Sequence, residues 1–107
     1  MSDVYKDNLT WTIEGETLII SGTGTMVSYN RLEFPPKWYE HKDSIKSIVI
    51  EEGVESIGSD AFYDMHLVER VSIANSVKSI GSSAFAHCYN LLEVTIPAAQ
   101  IHIGAFE

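Results

Sequence analysis

The amino-acid sequence predicts a mainly β fold with short helical turns, in which a solenoid of stacked repeats is capped by an N-terminal β-hairpin. The main observation is that apolar residues recur every 23 residues over residues 45–107. A fixed period of this length is typical of solenoids, whose repeats stack on one another. A second observation is the alternation of apolar and polar residues near the N-terminus, which is the period of a half-buried strand. Hydrophobic residues make up 45% and charged residues 21% of the chain, a globular balance.

Residues 1–44 are interpreted as the cap, made of a β-hairpin and an irregular loop. The alternation covers residues 9–13 and resumes over 17–21, on either side of the turn signal Glu14-Gly15-Glu16. Gly22-Thr23-Gly24-Thr25 follows the second run, and we expect the hairpin to end there.

The loop that completes the cap contains a proline pair and two aromatic residues. Pro35-Pro36 favours extended backbone and opposes a helix at that point. Trp38 and Tyr39 come next, and we expect them to anchor the loop to the core.

Residues 45–107 are interpreted as about 2.7 repeats of 23 residues, each with two short strands joined through a turn. β-Branched residues at many of the recurring positions favour strands. The recurring apolar residues are Ile45, Val68 and Leu91; Ile48, Val71 and Val94; Ile50, Ile73 and Ile96; Val54 and Val77; and Ile57, Ile80 and Ile103.

A glycine follows the second strand of each repeat. Gly58 and Gly81 permit either a positive φ or the close approach of another backbone. The oxygen-bearing residues Ser59-Asp60 and Ser82-Ser83 are expected to cap a short helical turn. The residues expected to fill the interior from these turns are Ala61-Phe62 and Ala84-Phe85.

The last repeat is irregular, because Ala105-Phe106 lies only 21 residues beyond Ala84-Phe85. The sequence reaches Glu107 before the third repeat is complete, so we expect an open C-terminal rung. Its ladder edges would be Val94–Ile96 and Ile101–Ile103. Unpaired strand edges favour pairing with another chain, and a homodimer through this rung is therefore expected.

Two units of the repeat follow one pattern of residue types at one spacing. The units are Ile48-x-Ile50-x-x-x-Val54-x-x-Ile57-Gly58-x-x-Ala61-Phe62 and Val71-x-Ile73-x-x-x-Val77-x-x-Ile80-Gly81-x-x-Ala84-Phe85-x-x-Cys88-x-x-Leu91, followed by Val94-Thr95-Ile96-Pro97. They closely resemble the BspA-like leucine-rich repeat family. The N-terminal part of the chain resembles the segment that often precedes such repeats. The resemblance rests on Leu9-Thr10-Trp11-Thr12, Leu18-x-Ile20-Ser21-Gly22-Thr23-Gly24-x-Met26 and Pro36-x-Trp38-Tyr39.

The resemblance implies a solenoid with two short strands per repeat. It also implies a place in long surface proteins of bacteria and some protists, with a role in adhesion to matrix proteins and to other cells. A cell-surface or secreted location follows from the resemblance. The N-terminal residues Met1–Asp7 do not have the form of a secretory signal, so a cytoplasmic location stays open.

Charge and composition exclude several classes of function. The chain carries 15 acidic and 7 basic residues, a net charge of −8, and residues 1–64 account for −7 of it with 12 acidic and 5 basic residues. A scattered negative charge does not suit nucleic acid, which requires clustered Lys and Arg. No apolar run approaches the ~20 residues that cross a bilayer. We therefore expect neither a nucleic-acid partner nor insertion into a membrane.

No catalytic group is expected, and the chain is interpreted as a non-enzyme. Cys88 next to His87 is the obvious candidate nucleophile, but adjacent residues on a turn point in different directions. Cys88 also aligns with Met65 of the preceding repeat, so we interpret it as a buried structural thiol.

No metal or cofactor is expected either. No two of the histidines are spaced as metal ligands are on one helix (i, i+4) or one strand (i, i+2). The histidines are His41, His66, His87 and His102. Gly22-Thr23-Gly24 lacks the remaining residues of a phosphate loop. Glu51-Glu52 is interpreted as a solvated turn, with an acidic patch for a basic partner or Ca²⁺ as the alternative.

Outward-facing positions of the repeats indicate how the module could bind. Val49, Ser72 and Thr95 form a small, flat, weakly polar strip that we expect to face a partner. On neighbouring rungs we expect exposed ion pairs between Glu55 and Lys78 and between Arg70 and Glu93.

Two hypotheses of function follow. The first is a protein-binding module of a cell-surface protein with an adhesion-type role, whose partner is an extracellular matrix protein or another surface protein. The second is a structural cap or stalk of a larger repeat protein, with no ligand of its own.

Overall fold

The computed structural model describes residues 7–95 and contains seven β-strands and a short 3-10 helix in that range. The first two strands form the predicted hairpin, and the remaining five come from the repeats. The strands are β1 Asn8–Glu14, β2 Thr17–Thr25, β3 Ser47–Ile50, β4 Val54–Ile57, β5 Arg70–Ile73, β6 Ser79–Ile80 and β7 Glu93–Thr95, and the 3-10 helix is Lys37–His41.

The strands form two parallel ladders joined through β2. In the first ladder β2, β3, β5 and β7 lie side by side, with β1 antiparallel on the far side of β2. In the second ladder the end of β2 pairs with β4, and β4 pairs with β6. The mainly β, hairpin-capped solenoid predicted from the 23-residue period is confirmed.

The hairpin is bonded to the repeats in the way that the repeats are bonded to each other. The Lys46 amide donates to the Glu16 carbonyl oxygen at 2.8 Å. One repeat on, the Glu69 amide donates to the Lys46 carbonyl at 2.8 Å, and the Leu92 amide donates to the Glu69 carbonyl at 2.9 Å. Since these three donors are spaced by 23 residues, β2 takes the place of a rung.

The expected end of the hairpin at Gly22-Thr23-Gly24-Thr25 is wrong, because β2 runs through these residues into the second ladder. Gly24 pairs with Val54, and the register shifts immediately afterwards. Gly22 has a φ of +118°, and a Cβ there would lie 2.3 Å from the Asn8 carbonyl oxygen. Glycine therefore lets the strand bend between the ladders without ending.

The core is one cluster of buried side chains between the two ladders. An aromatic column crosses it, in which Trp38 stacks on Phe62 with ring centroids 5.6 Å apart and Phe62 stacks on Phe85 at 5.3 Å. The Trp38 indole N–H donates to the Ala61 carbonyl oxygen at 2.8 Å. Trp38 thus anchors the cap loop to the core as predicted.

The turns that follow β4 and β6 are not the helical turns expected at Ala61-Phe62 and Ala84-Phe85. Each contains two non-glycine residues with positive φ between +56° and +63°, which are Asp60, Asp64, Ser83 and His87. The Phe62 amide instead donates across the rungs to the Ala84 carbonyl at 2.7 Å. The Asp64 amide likewise donates to the Ala86 carbonyl of the next repeat at 2.7 Å, while the Ala61 amide bonds within its own turn to the Gly58 carbonyl at 3.3 Å.

The two repeat glycines serve the close approach of a second backbone, which was one of the two alternatives. A Cβ on Gly58 would lie 1.9 Å from the Val27 carbonyl oxygen, and one on Gly81 would lie 2.5 Å from the Ser59 nitrogen. Neither glycine is among the positive-φ residues of the described chain.

Candidate interaction surface

The predicted strip lies in register on adjacent strands of the first ladder. Val49 pairs with Ser72, and Ser72 pairs with Thr95. Ser72 and Thr95 are exposed, and Val49 is half-buried. We call this row, together with its continuation onto β2 at Ile19, the strip.

The strip and the row beside it form a shallow depression of about 300 Å³. Its rows follow from the two-residue alternation of strands, which puts every second side chain on the same face. The outward-facing residues that line it are Thr17, Ser47, Val49, Arg70, Ser72, Glu93 and Thr95.

One of the two predicted cross-rung ion pairs is present. The Arg70 guanidinium Nε lies 3.3 Å from the Glu93 carboxylate, at the edge of the depression. Both side chains are largely exposed, so this pair contributes about 0–1 kcal/mol to stability. The predicted Glu55–Lys78 ion pair is wrong for the described residues. These two positions are joined through their backbones, with the Lys78 amide donating to the Glu55 carbonyl at 2.8 Å.

A second polar cluster joins the cap loop to the first repeat turn. The Arg31 guanidinium donates to Asp60 at 3.1 Å and lies 4.7 Å from the centroid of the Tyr63 ring. Tyr63 stacks on Tyr39 at 4.7 Å, and the Tyr39 hydroxyl donates to Asp64 at 3.0 Å. We call these five residues the lateral cluster.

Burial and the hydrogen bond to Asp64 raise the pKa of the Tyr39 hydroxyl well above its ordinary value. The hydrogen bond to Asp60 raises the pKa of Arg31. Both groups are protonated at neutral pH and act as hydrogen-bond donors. The lateral cluster thereby holds the cap loop against the turn of the first repeat.

Cys88 is half-buried rather than fully buried as predicted, and it packs against the core with the contacts of a structural thiol. Its Sγ donates to the Phe62 carbonyl oxygen at 3.2 Å, and burial raises the pKa of the thiol to about 11. The neighbouring His87 side chain contacts the Tyr89 hydroxyl instead of the thiol. A reactive cysteine needs a lowered pKa or an adjacent base, and Cys88 has neither among its described contacts.

The other candidate groups have structural contacts. His66 lies 3.2 Å from the Asp43 carboxylate, and the His41 ring packs 5.9 Å from Trp11. The Glu52 carboxylate accepts a hydrogen bond from the Asn75 amide of the next repeat at 3.1 Å. Residues 7–95 contain no group of three His, Cys, Asp or Glu side chains arranged for a metal ion. His102 lies outside the described residues.

Sequence reasoning missed the part of the strip that lies on the hairpin. Ile19 pairs with Val49, and Thr12 of β1 pairs with Ile19 on the same face. A signal was present, since Leu18-x-Ile20 has the same apolar spacing as Ile48-x-Ile50. The 30-residue offset hid it from a comparison at 23 residues.

A pocket near the N-terminus was also missed. It has a volume of about 100 Å³ and opens between β1 and the cap loop. Its tryptophans are 27 positions apart in the sequence and share no motif. We call it the aromatic pocket, and the residues that define it are Asp7, Trp11, Tyr29, Lys37 and Trp38.

The fold and the repeat geometry define the class of protein. Short parallel strands at a 23-residue period, stacked in two ladders around one apolar core, form a leucine-rich repeat solenoid. A family model described as "BspA type Leucine rich repeat region (6 copies)" matches residues 33–107. The chain belongs to the BspA-type leucine-rich repeat family. Such repeats form protein-interaction modules.

A solved structure has the same architecture. The crystal structure of a leucine-rich repeat protein from Eubacterium ventriosum ATCC 27560 matches with a TM-score of 0.80 and 26% sequence identity. The match covers 91% of this chain and 26% of that chain, so the present chain spans about a quarter of its relative. The search of curated proteins returned no match. In residues 7–95 no helix has the length and apolar character that a membrane span requires.

Proposed function

We propose that the chain is a non-catalytic protein-binding module with an adhesion-type role, carried by a cell-surface or secreted protein. The observation that carries the proposal is the in-register row of Val49, Ser72 and Thr95 along a depression of about 300 Å³. The partner we propose is an extracellular matrix protein or another cell-surface protein.

The chemistry of the strip suits a protein surface. Its side chains are small, so a partner can approach the sheet closely, and they combine methyl groups with hydroxyl groups. Arg70 and Glu93 at the edge supply one charge of each sign to orient a partner. A stable interface buries roughly 800 Å² on each side, so the strip would form the centre of a larger contact.

A direct test is multivalent display, since several linked copies raise the apparent affinity of a weak module by about 10²–10⁴. The biotinylated chain on streptavidin would be applied to immobilised extracellular matrix proteins and to intact cells. We expect saturable binding to at least one of them. Absence of binding to every surface in this format would contradict the proposal.

The matched variants are Ser72→Arg and Ser79→Arg. Ser72 is exposed on the strip, whereas Ser79 is exposed on β6 of the second ladder. A bulky cation in the centre of the contact should weaken binding about tenfold or more, while the same change on the other ladder should leave binding intact. Equal effects of the two changes on binding would show that the partner does not bind at the strip.

The alternative is that the chain is a structural cap or stalk of a larger repeat protein. The observation that favours it is that β2 pairs with both ladders, so the hairpin covers the first repeat on two sides. In this case the multivalent screen would find no partner, while variants that disturb β2 would still destabilise the chain.

We also propose self-association at the C-terminal rung. Tyr89 and Leu92, each 76% exposed, are large apolar side chains close to β7. Of the expected edge at Val94–Ile96, only Val94 and Thr95 are among the described residues. The expected edge at Ile101–Ile103 lies outside them. Light scattering over a range of concentrations should show a dimer that Leu92→Glu dissociates. A monomer at high concentration would contradict this assignment.

A further inference from the structure

The aromatic pocket combines three aromatic rings with one group of each charge. Trp11 and Tyr29 stand at 71° and 75° to the plane of Trp38, with ring centroids 6.1 and 5.4 Å from it. Phe62 supports Trp38 by stacking on it. The Trp11 and Tyr29 rings thus both pack nearly perpendicular to the Trp38 ring.

The pocket is fixed before any ligand enters. Trp38 is 4% exposed and is held through its N–H bond to the Ala61 carbonyl. The Asp7 carboxylate accepts hydrogen bonds from the Leu9 amide at 3.1 Å and from the Val27 amide at 2.9 Å. Within residues 7–95 these two amides are the hydrogen-bond donors to Asp7, which leaves one further lone pair on each oxygen for a ligand.

The charged residues that line the pocket are one carboxylate, Asp7, and one ammonium, Lys37. The charge of Asp7 contributes, after burial, to raising the pKa of Tyr29 to about 12, so the two groups are close enough to interact and Tyr29 stays neutral. Most of the net negative charge of the chain lies in residues 1–64, the part of the sequence that contains the described lining residues of the pocket. Aromatic faces and a carboxylate together attract an organic cation, most strongly when it is desolvated.

The size of the pocket limits the ligand to one compact group. Its volume is about 100 Å³, so it admits one small group while the rest of a ligand projects into solvent. A trimethylammonium group is compact and carries a diffuse charge that suits aromatic faces. Lys37 also lines the pocket, is exposed, and forms no ion pair with any carboxylate of residues 7–95. A lysine in this place suits an anion next to the bound cation.

We propose that the aromatic pocket binds a phosphocholine group, with the trimethylammonium between Trp11, Tyr29 and Trp38 against Asp7, and the phosphate on Lys37. This site is separate from the strip, and the proposal does not depend on the proposed function. The same head group occurs as free phosphocholine and on phosphatidylcholine.

The chain contains its own reporter, because its two tryptophans both line the pocket. Phosphocholine added to the intact chain should change the tryptophan emission with a dissociation constant of about 0.1–10 mM. The comparison ligand is 3,3-dimethylbutyl phosphate, which replaces the charged nitrogen with carbon. It should bind at least about fivefold more weakly, since it lacks the cation–π attraction. Equal binding of the two would overturn the proposal, as would no change of emission with either.

Variants separate the two charged groups. Lys37→Gln should weaken phosphocholine binding about threefold to tenfold and leave choline binding unchanged or stronger. Lys42→Gln is the matched control, since Lys42 lies over the Tyr39 ring of the lateral cluster, and it should change neither. Asp7→Asn should weaken the binding of both ligands. Insensitivity of phosphocholine to Lys37→Gln and Asp7→Asn together would overturn the assignment.

Two further arms identify the source of the head group and the competing occupant. Sedimentation with phosphatidylcholine vesicles, but not with phosphatidylglycerol vesicles, would assign the head group to a lipid surface. Binding of soluble phosphocholine without sedimentation would assign the free compound. If binding appears only after residues 1–6 are removed, the pocket belongs to the chain's own N-terminal segment and the proposal is overturned.

Discussion

The turn of the first repeat, residues 58–65, and that of the second, residues 81–88, share a backbone but differ in their side chains. Asp60 and Ser83 have φ values of +56° and +57°, and Asp64 and His87 have +56° and +63°. The aligned phenylalanines are equally buried.

The side chains differ because only the first turn contacts the cap loop. Its Asp60, Tyr63 and Asp64 bind Arg31 and Tyr39 of that loop. The aligned residues of the second turn are Ser83, Ala86 and His87. The comparison teaches that the buried column and the inter-rung hydrogen bonds specify the repeat, while the other turn positions adapt to what lies beside them.

The largest expected effect concerns what the two turns have in common. Phe62→Ala and Phe85→Ala each remove a buried ring of the aromatic column, and each should lower the free energy of unfolding by about 3–5 kcal/mol. Urea denaturation followed by circular dichroism measures this. Leu32→Ala, at a side chain that is 88% exposed, is the control and should change stability by less than about 0.5 kcal/mol. If Phe62→Ala lowers the free energy of unfolding no more than the control does, the aromatic column does not stabilise the fold.

The next effect concerns the position at which the turns differ most in size. Tyr63→Ala gives the first turn the residue of the second, and it removes the ring between Arg31 and Tyr39. We expect a loss of about 2–4 kcal/mol, because Tyr63 is only 7% exposed. The same denaturation experiment applies, with Tyr63→Phe as the variant that keeps the stack. An unchanged midpoint for Tyr63→Ala would mean that the lateral cluster contributes nothing to docking the cap loop.

An exchange of one polar residue tests the charge in the lateral cluster. Asp60→Ser leaves Arg31 without its carboxylate and should cost about 1–2 kcal/mol after allowance for partial exposure. The reciprocal Ser83→Asp should stay within about 0.5 kcal/mol, because the second turn has no described arginine beside it. A double-mutant cycle with Arg31→Met isolates the pair. Zero coupling energy in that cycle would show that the ion pair is incidental.

The smallest expected effect is a pH dependence of the free energy of unfolding. It arises because the second turn has the ionisable Cys88 where the first turn has Met65. The pKa of the thiol is 9.0 when unperturbed and about 11 in the folded chain. Between these values the unfolded state binds fewer protons, so stability falls as pH rises from 9 to 11. Below pH 9 the contribution of the neutral thiol is fully present. The full difference between these pKa values corresponds to about 2.7 kcal/mol. Because Cys88 is only half-buried, we expect a loss of about 1 kcal/mol relative to Cys88→Met over this range, measured by urea denaturation at each pH. Parallel curves for the two proteins would contradict the burial of the thiol.

Much of the solenoid could be predicted because its core repeats in sequence. Apolar residues at a spacing of 23 give the register directly, and Val49, Ser72 and Thr95 align in the structure as they do in the sequence. The boundary at residue 44 and the partner-facing role of the strip stay predictions.

What could not be predicted depends on how the backbone bends. Glycines at Gly22 and Gly24 are typical of strand ends, but here they let β2 continue into the second ladder. The positive φ of Asp60 and Ser83 turned an expected helical turn into an inter-rung contact. The aromatic pocket forms only when the hairpin and the cap loop meet, so no local pattern indicates it.

The central claim is that the hairpin acts as a rung and folds with the repeats as one unit. Two equivalent amides test it, since the Glu51 amide donates to the Ile20 carbonyl and the Ala74 amide donates to the Ile50 carbonyl, each at 3.0 Å. Native-state hydrogen exchange measures the free energy of opening at both. We predict values that agree within about 0.5 kcal/mol and equal the global free energy of unfolding. A much lower value at Glu51 would show that the hairpin detaches by itself and would contradict the claim.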